Sequence, residues 1–350
     1  MPTNKYTSDA VALLRKLIAT PSISRDESRA ADIMEEEIKS LGYDCRREAN
    51  NVWAQGPWKE GRKTILLNAH IDTVKPASTW TRNPYEPAVE GGKLFGLGSN
   101  DCGGGLASLL QAFRIVATDE AEYNFVYLAS AEEEVSGANG FSRALPLLPH
   151  IDAAIVGEPT GMQPAVAEKG LMVVDATAHG RSGHAARGEG LNAIYQALDD
   201  LCWIRSYRFE RDSHLLGPTL MNATMVSAGT QHNVVPDKCT FVIDVRTNEL
   251  YTNEEVFDIM RRNMKSELHP RSFRLHSSSI SPSHPLVKRC TEMGMKPFGS
   301  PTLSDQALMP FESLKLGPGQ SSRSHSADEY IMLSEIDDAI SKYSNLLGTR

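Results

Sequence analysis

The fold of this chain is decided by two stretches, ILLNAHID at residues 65–72 and GLGSNDCGGG at residues 96–105. The first begins with an unbroken aliphatic run, which predicts a strand buried on both faces. His70 and Asp72 follow two positions apart, so in extended backbone their side chains lie on one face of the sheet. Imidazole is a good zinc ligand and is commonly oriented by a carboxylate. A polar strand end followed by a glycine turn that contains Asp101 would explain the same residues, so the metal-site interpretation depends on the rest of the chain.

Acidic groups follow two further predicted strands. The apolar run at 125–129 leads to three consecutive glutamates at 132–134, and the run at 151–156 leads to Glu158. These strands alternate with helical patterns, which predicts an α/β fold with a central, largely parallel sheet flanked by helices. In such sheets, sites form at the carboxyl ends of the strands. The candidate groups all follow strand ends, and this supports a common site.

The pattern changes after residue 167. Alternation of period two, which indicates half-buried antiparallel strands, occurs at 171–178, 219–228 and 238–246. Helical spacing occurs near 191–205 and 254–267. The length of 350 residues exceeds that of a usual single core. We therefore predict a compact α+β domain at 168–277, inserted into a catalytic domain formed by 1–167 and 278–350.

Composition excludes several classes of partner. The net charge is -8 and no Lys/Arg run occurs, so nucleic-acid binding is not expected. The five cysteines are dispersed without a C-x-x-C pair, which is typical of reduced thiols. No apolar run reaches membrane-spanning length, so no membrane partner is expected. A cytoplasmic location is predicted.

The candidate ligands are His70, Asp101, Glu132, Glu133, Glu158 and His325. Two imidazoles and several carboxylates suit a pair of divalent ions, with one carboxylate as a bridge. Of the adjacent Glu132 and Glu133, one could bind metal while the other accepts a proton from water. Taken singly, the glutamate run could be a solvated acidic segment and His325 a surface histidine. Motifs for a serine nucleophile elbow, a Walker loop, a complete dinucleotide-binding fingerprint and an H-E-x-x-H zinc site do not occur.

These motifs resemble those of the co-catalytic zinc aminoacylase and carboxypeptidase superfamily, which includes acetylornithine deacetylase and succinyl-diaminopimelate desuccinylase. The matching motifs are His70-Ile71-Asp72, Gly96-x-Gly98-x-x-Asp101, Glu132-Glu133, Gly157-Glu158-Pro159-Thr160 and His325. The resemblance covers essentially the full chain, and it implies a zinc-hydrolase catalytic domain with an inserted lid and dimerisation domain. Cys102-Gly103 stands where members of this superfamily often have Met-Lys.

The resemblance also implies two Zn²⁺ ions, with Co²⁺ as an expected substitute. The implied ligands are His70 and Glu158 for one ion, Glu133 and His325 for the other, and Asp101 as the bridge. Asp72 would orient the first imidazole, and Glu132 would be the general base. A cis peptide bond is expected between Asp101 and Cys102.

Three further roles involve the inserted domain. His184, in Gly183-His184-Ala185-Ala186, matches the histidine motif of the superfamily and is expected to reach the active site of the partner in a homodimer. Its alternative is a capping or packing role within its own domain. Arg246 and Asn233 are expected to bind substrate, Arg246 through an α-carboxylate. A surface ion pair and a turn, respectively, are the alternatives.

The expected reaction is hydrolysis of the amide bond of an N-acyl amino acid, foremost N-acetylornithine in arginine biosynthesis. N-acetylcitrulline and N-succinyl amino acids are alternative substrates, and a dipeptidase or carboxypeptidase would use the same site. A non-catalytic binding protein is a remote alternative, because such a descendant is expected to have lost a ligand or the base.

Overall fold

The computed structural model describes residues 4–348. The helices are α1 (Lys5–Ile18), α2 (Ser28–Ser40), α3 (Gly104–Val116), α4 (Phe141–Ala144), α5 (Ala193–Ser206), α6 (Asn253–Asn263), α7 (Pro285–Glu292) and α8 (Leu333–Leu347). The strands are β1 (Cys45–Glu48), β2 (Asn51–Gln55), β3 (Thr64–His70), β4 (Ala88–Glu90), β5 (Lys93–Phe95), β6 (Asn124–Ser130), β7 (Ala153–Val156), β8 (Ala165–Glu168), β9 (Met172–His179), β10 (Gly183–His184), β11 (Leu220–Ala228), β12 (Val234–Val235), β13 (Lys238–Arg246), β14 (Glu267–Pro270), β15 (Ser278–Ser279), β16 (Phe298–Ser300), β17 (Glu312–Lys315) and β18 (Tyr330–Met332). Within the described residues, no helix combines the length and the apolar character needed to cross a bilayer.

The chain divides into two compact units. The first, here called the sheet unit, runs to Val166 and also contains Ile280–Phe298 and the chain from Ser304 onward. The second, called the insert, comprises Ala167–Ser279 and Gly299–Leu303. The sequence-based boundaries lie within two residues of the two main crossings, while the short return at 299–303 had no counterpart in the sequence pattern. The role of the insert as a lid and dimerisation domain stays a prediction.

The sheet unit is built on a mixed sheet in the order β1-β2-β6-β3-β7-β17-β8. The four central strands, β6, β3, β7 and β17, are parallel. The flanking pairs are antiparallel. Strands β1 and β2 are joined by a tight turn, and only antiparallel neighbours can be connected so directly. The predicted α/β class with a central sheet flanked by helices is confirmed, and the parallel part is confined to the centre.

Strand β3 shows why the aliphatic run has no polar break. All seven of its residues are buried. Ile65 and Leu67 belong to the large core that also contains the apolar faces of α1, α3 and α8. Leu66 points to the opposite face, where it lies in a second cluster with Val126 and Phe141. A strand covered on both faces must be apolar at successive positions.

The insert has its own sheet and its own core. Strands β11, β13, β9 and β14 form an antiparallel sheet in that order. Along β9 the residues alternate between buried and partly exposed, as the period-two pattern predicts. The buried side chains pack with α5 and α6 in a separate apolar cluster. Helix α6 begins with a capping box formed by Thr252 and Glu255, which satisfies two otherwise unpaired N–H groups.

Candidate metal centre

His70, the last residue of β3, lies at the carboxyl edge of the parallel strands and is 2% exposed. Its Nδ1 is 2.8 Å from the carbonyl oxygen of Asp72 and 3.4 Å from that residue's Oδ1. Its Nε2 faces three carboxylates, at 3.3 Å from Asp101 Oδ1, 3.5 Å from Glu158 Oε1 and 3.9 Å from Glu133 Oε2. Asp72 thus fixes the ring, and the other nitrogen points to the candidate ligands.

Asp101 lies in the irregular turn before α3, where the Asp101–Cys102 peptide bond is cis. This confirms the cis bond expected from the resemblance. While Oδ1 of Asp101 faces His70, its Oδ2 lies 3.6 Å from Nε2 of His325. One carboxylate therefore places an oxygen before each imidazole, which is the arrangement that a bridging ligand requires.

His325 pairs with Glu134, a residue that the sequence analysis did not assign. Nε2 of His325 is 3.0 Å from Oε1 and 2.9 Å from Oε2 of Glu134. This hydrogen bond, helped by the charge of Asp101 and opposed by partial burial, raises the pKa of His325 to about 9. The second group of candidate ligands is therefore His325, Asp101 and Glu134.

Glu132 lies apart from these ligands. Its backbone is left-handed, with φ of 52°. Its carboxylate accepts hydrogen bonds from the backbone N–H of Asn139 at 3.2 Å and from that residue's Nδ2 at 3.0 Å. A Cβ at position 137 would stand 1.8 Å from Glu132 Oε2, so Gly137 makes this placement possible. The structure thus differs from the predicted base and ligand pair, Glu132 and Glu133, because the turn sends Glu132 into its own loop and brings Glu133 and Glu134 to the site.

The electrostatics of the cluster fit bound cations. Two sets of three donor atoms lie within 4.8 Å of one another: His70, Cys102 and Glu158, and His70, Asp101 and Glu134. Burial, reinforced by the charge of Asp101, raises the pKa of Glu158 to about 8. Its Oε1 is fully buried and accepts no hydrogen bond from the described residues. Burial, with the charges of Glu158, Asp305 and Glu134, also raises the pKa of Glu133. Divalent cations would neutralise these crowded carboxylates and would bind the oxygen that accepts no hydrogen bond.

A buried carboxylate, Glu329, supports the turn that carries Asp101. It accepts backbone N–H groups from Gly98 at 3.1 Å, Asn100 at 2.7 Å and Asp101 at 2.9 Å. It is 2% exposed, and burial raises its pKa to about 7. Glu329 was not predicted as a site residue, because its contacts are to backbone N–H groups of a segment distant in sequence.

Replacing Glu329 with glutamine is expected to lower the affinity for divalent metal about 10–100-fold, the usual effect of removing a group that orients a ligand. The amide NH₂ of glutamine would face backbone N–H groups and release the turn. Competition with a chromogenic chelator measures the affinity. Glu335→Gln is the matched control, because Glu335 binds Arg323 and the N–H of Met332 without contacting the turn. A loss of thermal stability with unchanged metal affinity would contradict the positioning role.

Three predicted site residues belong to the insert. The His184 ring is exposed, and its Nδ1 accepts the N–H of Ala186 at 3.2 Å, so it caps its own turn. The carbonyl oxygen of Asn233 accepts the N–H of Ala185 at 3.1 Å. The guanidinium of Arg246 forms two hydrogen bonds to Asp244, at 2.8 and 3.0 Å. Each residue thus has a local contact of the kind considered as its alternative, and the catalytic and substrate-binding roles stay predictions.

Imidazoles and carboxylates clustered at one edge of a mixed α/β sheet define a candidate metal-binding site. The chain belongs to peptidase family M20/M25/M40, whose family model matches residues 66–349. The protein is accordingly an M20 metallopeptidase-like hydrolase. One M20 peptidase of known structure is described as dinuclear and metal-binding, and this chain has candidate ligand groups around His70. The superfamily resemblance is confirmed, while closeness to acetylornithine deacetylase stays a prediction.

Solved structures share the fold over nearly the whole chain. A tripeptidase from Staphylococcus aureus subsp. aureus Mu50 is 19% identical with a TM-score of 0.78, and the match covers 99% of this chain and 98% of that one. An M20 family metallo-carboxypeptidase from Sulfolobus solfataricus is 17% identical with a TM-score of 0.75, covering 97% and 98%. A dinuclear metal-binding M20 peptidase from Bacillus subtilis is 16% identical with a TM-score of 0.74, covering 98% and 97%. At these identities the likeness concerns the fold.

Proposed function

We propose that this protein hydrolyses the amide bond of an N-acyl amino acid, with Glu133 as the general base beside two divalent cations. One observation carries the proposal. The Glu133 carboxylate lies 3.9 Å from His70 Nε2, among the candidate ligands, and accepts no hydrogen bond from the described residues. A general base must reach the attacking water without being committed to another partner. Glu132 and Glu134 are both committed, to Asn139 and His325.

The proposed ligands are His70 and Glu158 for one cation, Glu134 and His325 for the other, and Asp101 as the bridge. Bound divalent cations supply Lewis acidity and lower the pKa of water. Asp72 holds the His70 ring, and it accepts the backbone N–H groups of Glu133 and Glu134 at 3.0 and 3.1 Å. It thereby couples one imidazole to the turn that presents the base. Glu133 accepts the proton from the attacking water and then donates it to the leaving amine nitrogen.

N-acetylornithine is the leading substrate proposed from the motif resemblance, and N-acetylcitrulline and N-succinyl amino acids require the same chemistry. Small peptides are the second candidate. The structures that share the fold include a tripeptidase and a carboxypeptidase, and a peptide bond is also an amide next to a free terminus. Arg246 is proposed to bind the α-carboxylate, which requires exchange of its partner Asp244, and Asn233 is proposed to assist.

The test is a panel of substrates assayed with the metal-loaded protein. N-acetyl and N-succinyl derivatives of ornithine and citrulline are compared with di- and tripeptides, and the released amine is measured. Faster turnover of the N-acyl amino acids supports the proposal, whereas preference for peptides overturns it. Metal analysis on the same samples is expected to give two ions per chain, and saturation at one ion would contradict the dinuclear assignment.

We also propose that the protein is a homodimer in which His184 serves the active site of the partner. The exposed ring on a short loop supports this role, and loss of one oxyanion donor costs about 10²–10³-fold in turnover. Mixed His184→Ala and Glu133→Gln chains are expected to regain activity on subunit exchange, because one site of each heterodimer has both wild-type groups. A mixture that exchanges subunits yet stays inactive would refute the role in the partner.

A further inference from the structure

A cavity of about 260 Å³ opens beside the metal centre within the sheet unit. Its lining consists of Ile23, Ser24, Arg25, Thr73, Val74, Lys75, Glu134 and Val135. Glu134 belongs to the candidate metal ligands, and Ser24 donates its hydroxyl to Asp72 Oδ2 at 2.7 Å. The cavity is therefore continuous with the site. Pockets for whole drug-sized ligands are usually about 300–1,000 Å³, so this one suits a part of a substrate.

Two chain segments build the wall of the cavity side by side. Ile23 and Thr73 form a parallel bridge, with the N–H of Thr73 donating to Ser22 at 2.9 Å and the N–H of Ser24 donating to Thr73 at 3.2 Å. Arg25 and Lys75 each follow the bridge by two residues. Because the two segments run parallel, Arg25 and Lys75 come to the same position along the wall.

The backbone of Arg25 is in the left-handed region, with φ of 78°, which is uncommon for a residue with a side chain. Its N–H donates to the carboxylate of Glu27, which also accepts Asn50 Nδ2 at 3.1 Å and the N–H of Glu132 at 3.3 Å. This buried carboxylate holds the turn between the wall and the glutamate run. The conformation of Arg25 is thus fixed by the same framework that positions the base.

The wall carries two positively charged side chains, those of Arg25 and Lys75. Within residues 4–348, neither Arg25 nor Lys75 forms an ion pair or a side-chain hydrogen bond, and both are exposed. The neighbouring carboxylates already have partners: Asp72 binds His70 and Ser24, Glu27 binds backbone N–H groups, and Glu134 binds His325. A guanidinium and an ammonium beside a reaction site are suited to bind an anionic group of the substrate.

We propose that this cavity binds the distal carboxylate of a dicarboxylic acyl group, such as succinyl, on the substrate amino acid. The apolar walls, Ile23, Val74 and Val135, face a spacer of methylene groups, and Arg25 and Lys75 bind the carboxylate beyond it. An α-carboxylate is carried by the carbon next to the scissile nitrogen and has no such spacer. The proposal rests on the N-acyl amino acid hydrolysis proposed above, and it favours the N-succinyl over the N-acetyl substrates.

The test compares N-succinyl and N-acetyl derivatives of one amino acid as substrates of the metal-loaded enzyme. The wild type is expected to prefer the N-succinyl substrate. In Arg25→Gln, Lys75→Gln and the double variant, kcat/KM for that substrate is expected to fall about 10–100-fold, as for the loss of a charged hydrogen bond. The value for the N-acetyl substrate is expected to stay within about twofold, because it lacks the distal carboxylate. Arg29→Gln is the matched control, since Arg29 is an exposed arginine outside the cavity lining. Arg25→Lys, which keeps the charge, is expected to restore part of the loss.

Three outcomes would overturn the inference. Equal losses on both substrates would mean that the cations bind the common α-carboxylate or act on the metal centre. No loss on either would mean that they do not contact substrate, and a wild type that accepts only N-acetyl substrates would exclude the acyl-carboxylate site. In each of these cases hydrolysis of N-acyl amino acids persists, so the proposed function survives. If the wild type cleaves neither substrate, the proposed function itself fails, and this inference fails with it.

Discussion

Replacing Glu133 with glutamine is expected to lower kcat by about 10²–10⁴-fold, the usual contribution of a general base. Glutamine keeps the size of the side chain but cannot accept the proton. Metal content is expected to stay at the wild-type value, because the Glu133 carboxylate is farther from His70 Nε2, at 3.9 Å, than those of Asp101 and Glu158, and it is not among the partners of His325. Turnover and metal analysis on the same preparation measure both parts of this prediction.

The two neighbouring glutamates provide matched controls. Glu134→Gln is expected to reduce metal content, because its carboxylate lies 2.9 Å from His325 Nε2. Glu132→Gln is expected to have the mildest effect on turnover, since among the described residues its side chain hydrogen-bonds only to Asn139 in its own loop. If Glu132→Gln instead removes most turnover with metal retained, while Glu133→Gln loses metal, the assignment made from sequence is right and the one made from geometry is wrong.

Much of the sheet unit follows from local sequence patterns. The aliphatic runs that become β3, β6 and β7 are buried throughout, so apolar runs without polar breaks identified them. The period-two segments of the insert became β9, β11 and β13. In β9 and β13, buried residues alternate with more exposed ones, whereas β11 is an edge strand whose residues are mostly exposed. The antiparallel edges of the large sheet were not predicted. Strand direction there depends on short connections, and these carry little signal in the sequence.

The candidate site was predicted in composition but not in every detail. His70 and Glu158 come together because the parallel strands β3 and β7 bring their carboxyl ends to one edge of the sheet, and the segments that carry Asp101 and His325 meet them there. The choice among the three glutamates depended on one left-handed residue, Glu132, and a periodic pattern cannot show where a strand ends in such a turn. The available sequence signal was Gly137, because only a residue without a side chain leaves room for the Glu132 carboxylate in this loop.

Supporting groups distant in sequence were harder to predict. Glu329 acts on the turn at 98–101 through backbone N–H groups, and such contacts impose no residue type on the partner. Asp305 lies beneath the site and accepts Ser130 Oγ at 2.6 Å and Asn68 Nδ2 at 3.0 Å. Both contacts join segments far apart in the chain, so only the folded structure shows them.

The metal-free protein, prepared with a chelator, is expected to become progressively less stable as pH rises from about 5 to 8. Glu158 has its pKa raised from 4.5 to about 8, by burial and by the charge of Asp101. A raised pKa means that the folded state binds the proton more tightly than the unfolded state does. The corresponding stability is present below the unfolded pKa and is lost as pH rises through the folded pKa. The full shift, from 4.5 to about 8, corresponds to a loss on the order of 5 kcal/mol, at about 1.4 kcal/mol per pKa unit.

Other titrating groups of the cluster do not reverse this trend. The pKa of His70 is raised, although burial opposes it, by its contacts with Cys102, Asp101 and Asp72, so its contribution is also lost with rising pH. The pKa of Asp101 is lowered, although burial opposes it, by its hydrogen bond to His70. Its contribution is lost only as pH falls, so it is already complete within this window.

Bound cations are expected to remove this pH dependence, because they neutralise the carboxylates that otherwise retain protons. Unfolding monitored by circular dichroism between pH 5 and 8, with chelator or with Zn²⁺ or Co²⁺, measures the difference. Metal addition to the metal-free protein near pH 7 is expected to release protons, which is measurable in weakly buffered solution. Glu158→Gln, which cannot titrate, is the control and is expected to flatten the metal-free profile. A metal-free wild type whose stability rises steadily over this range would show that the Glu158 carboxyl is already ionised without metal, and that the cluster does not require a cation to hold its charge.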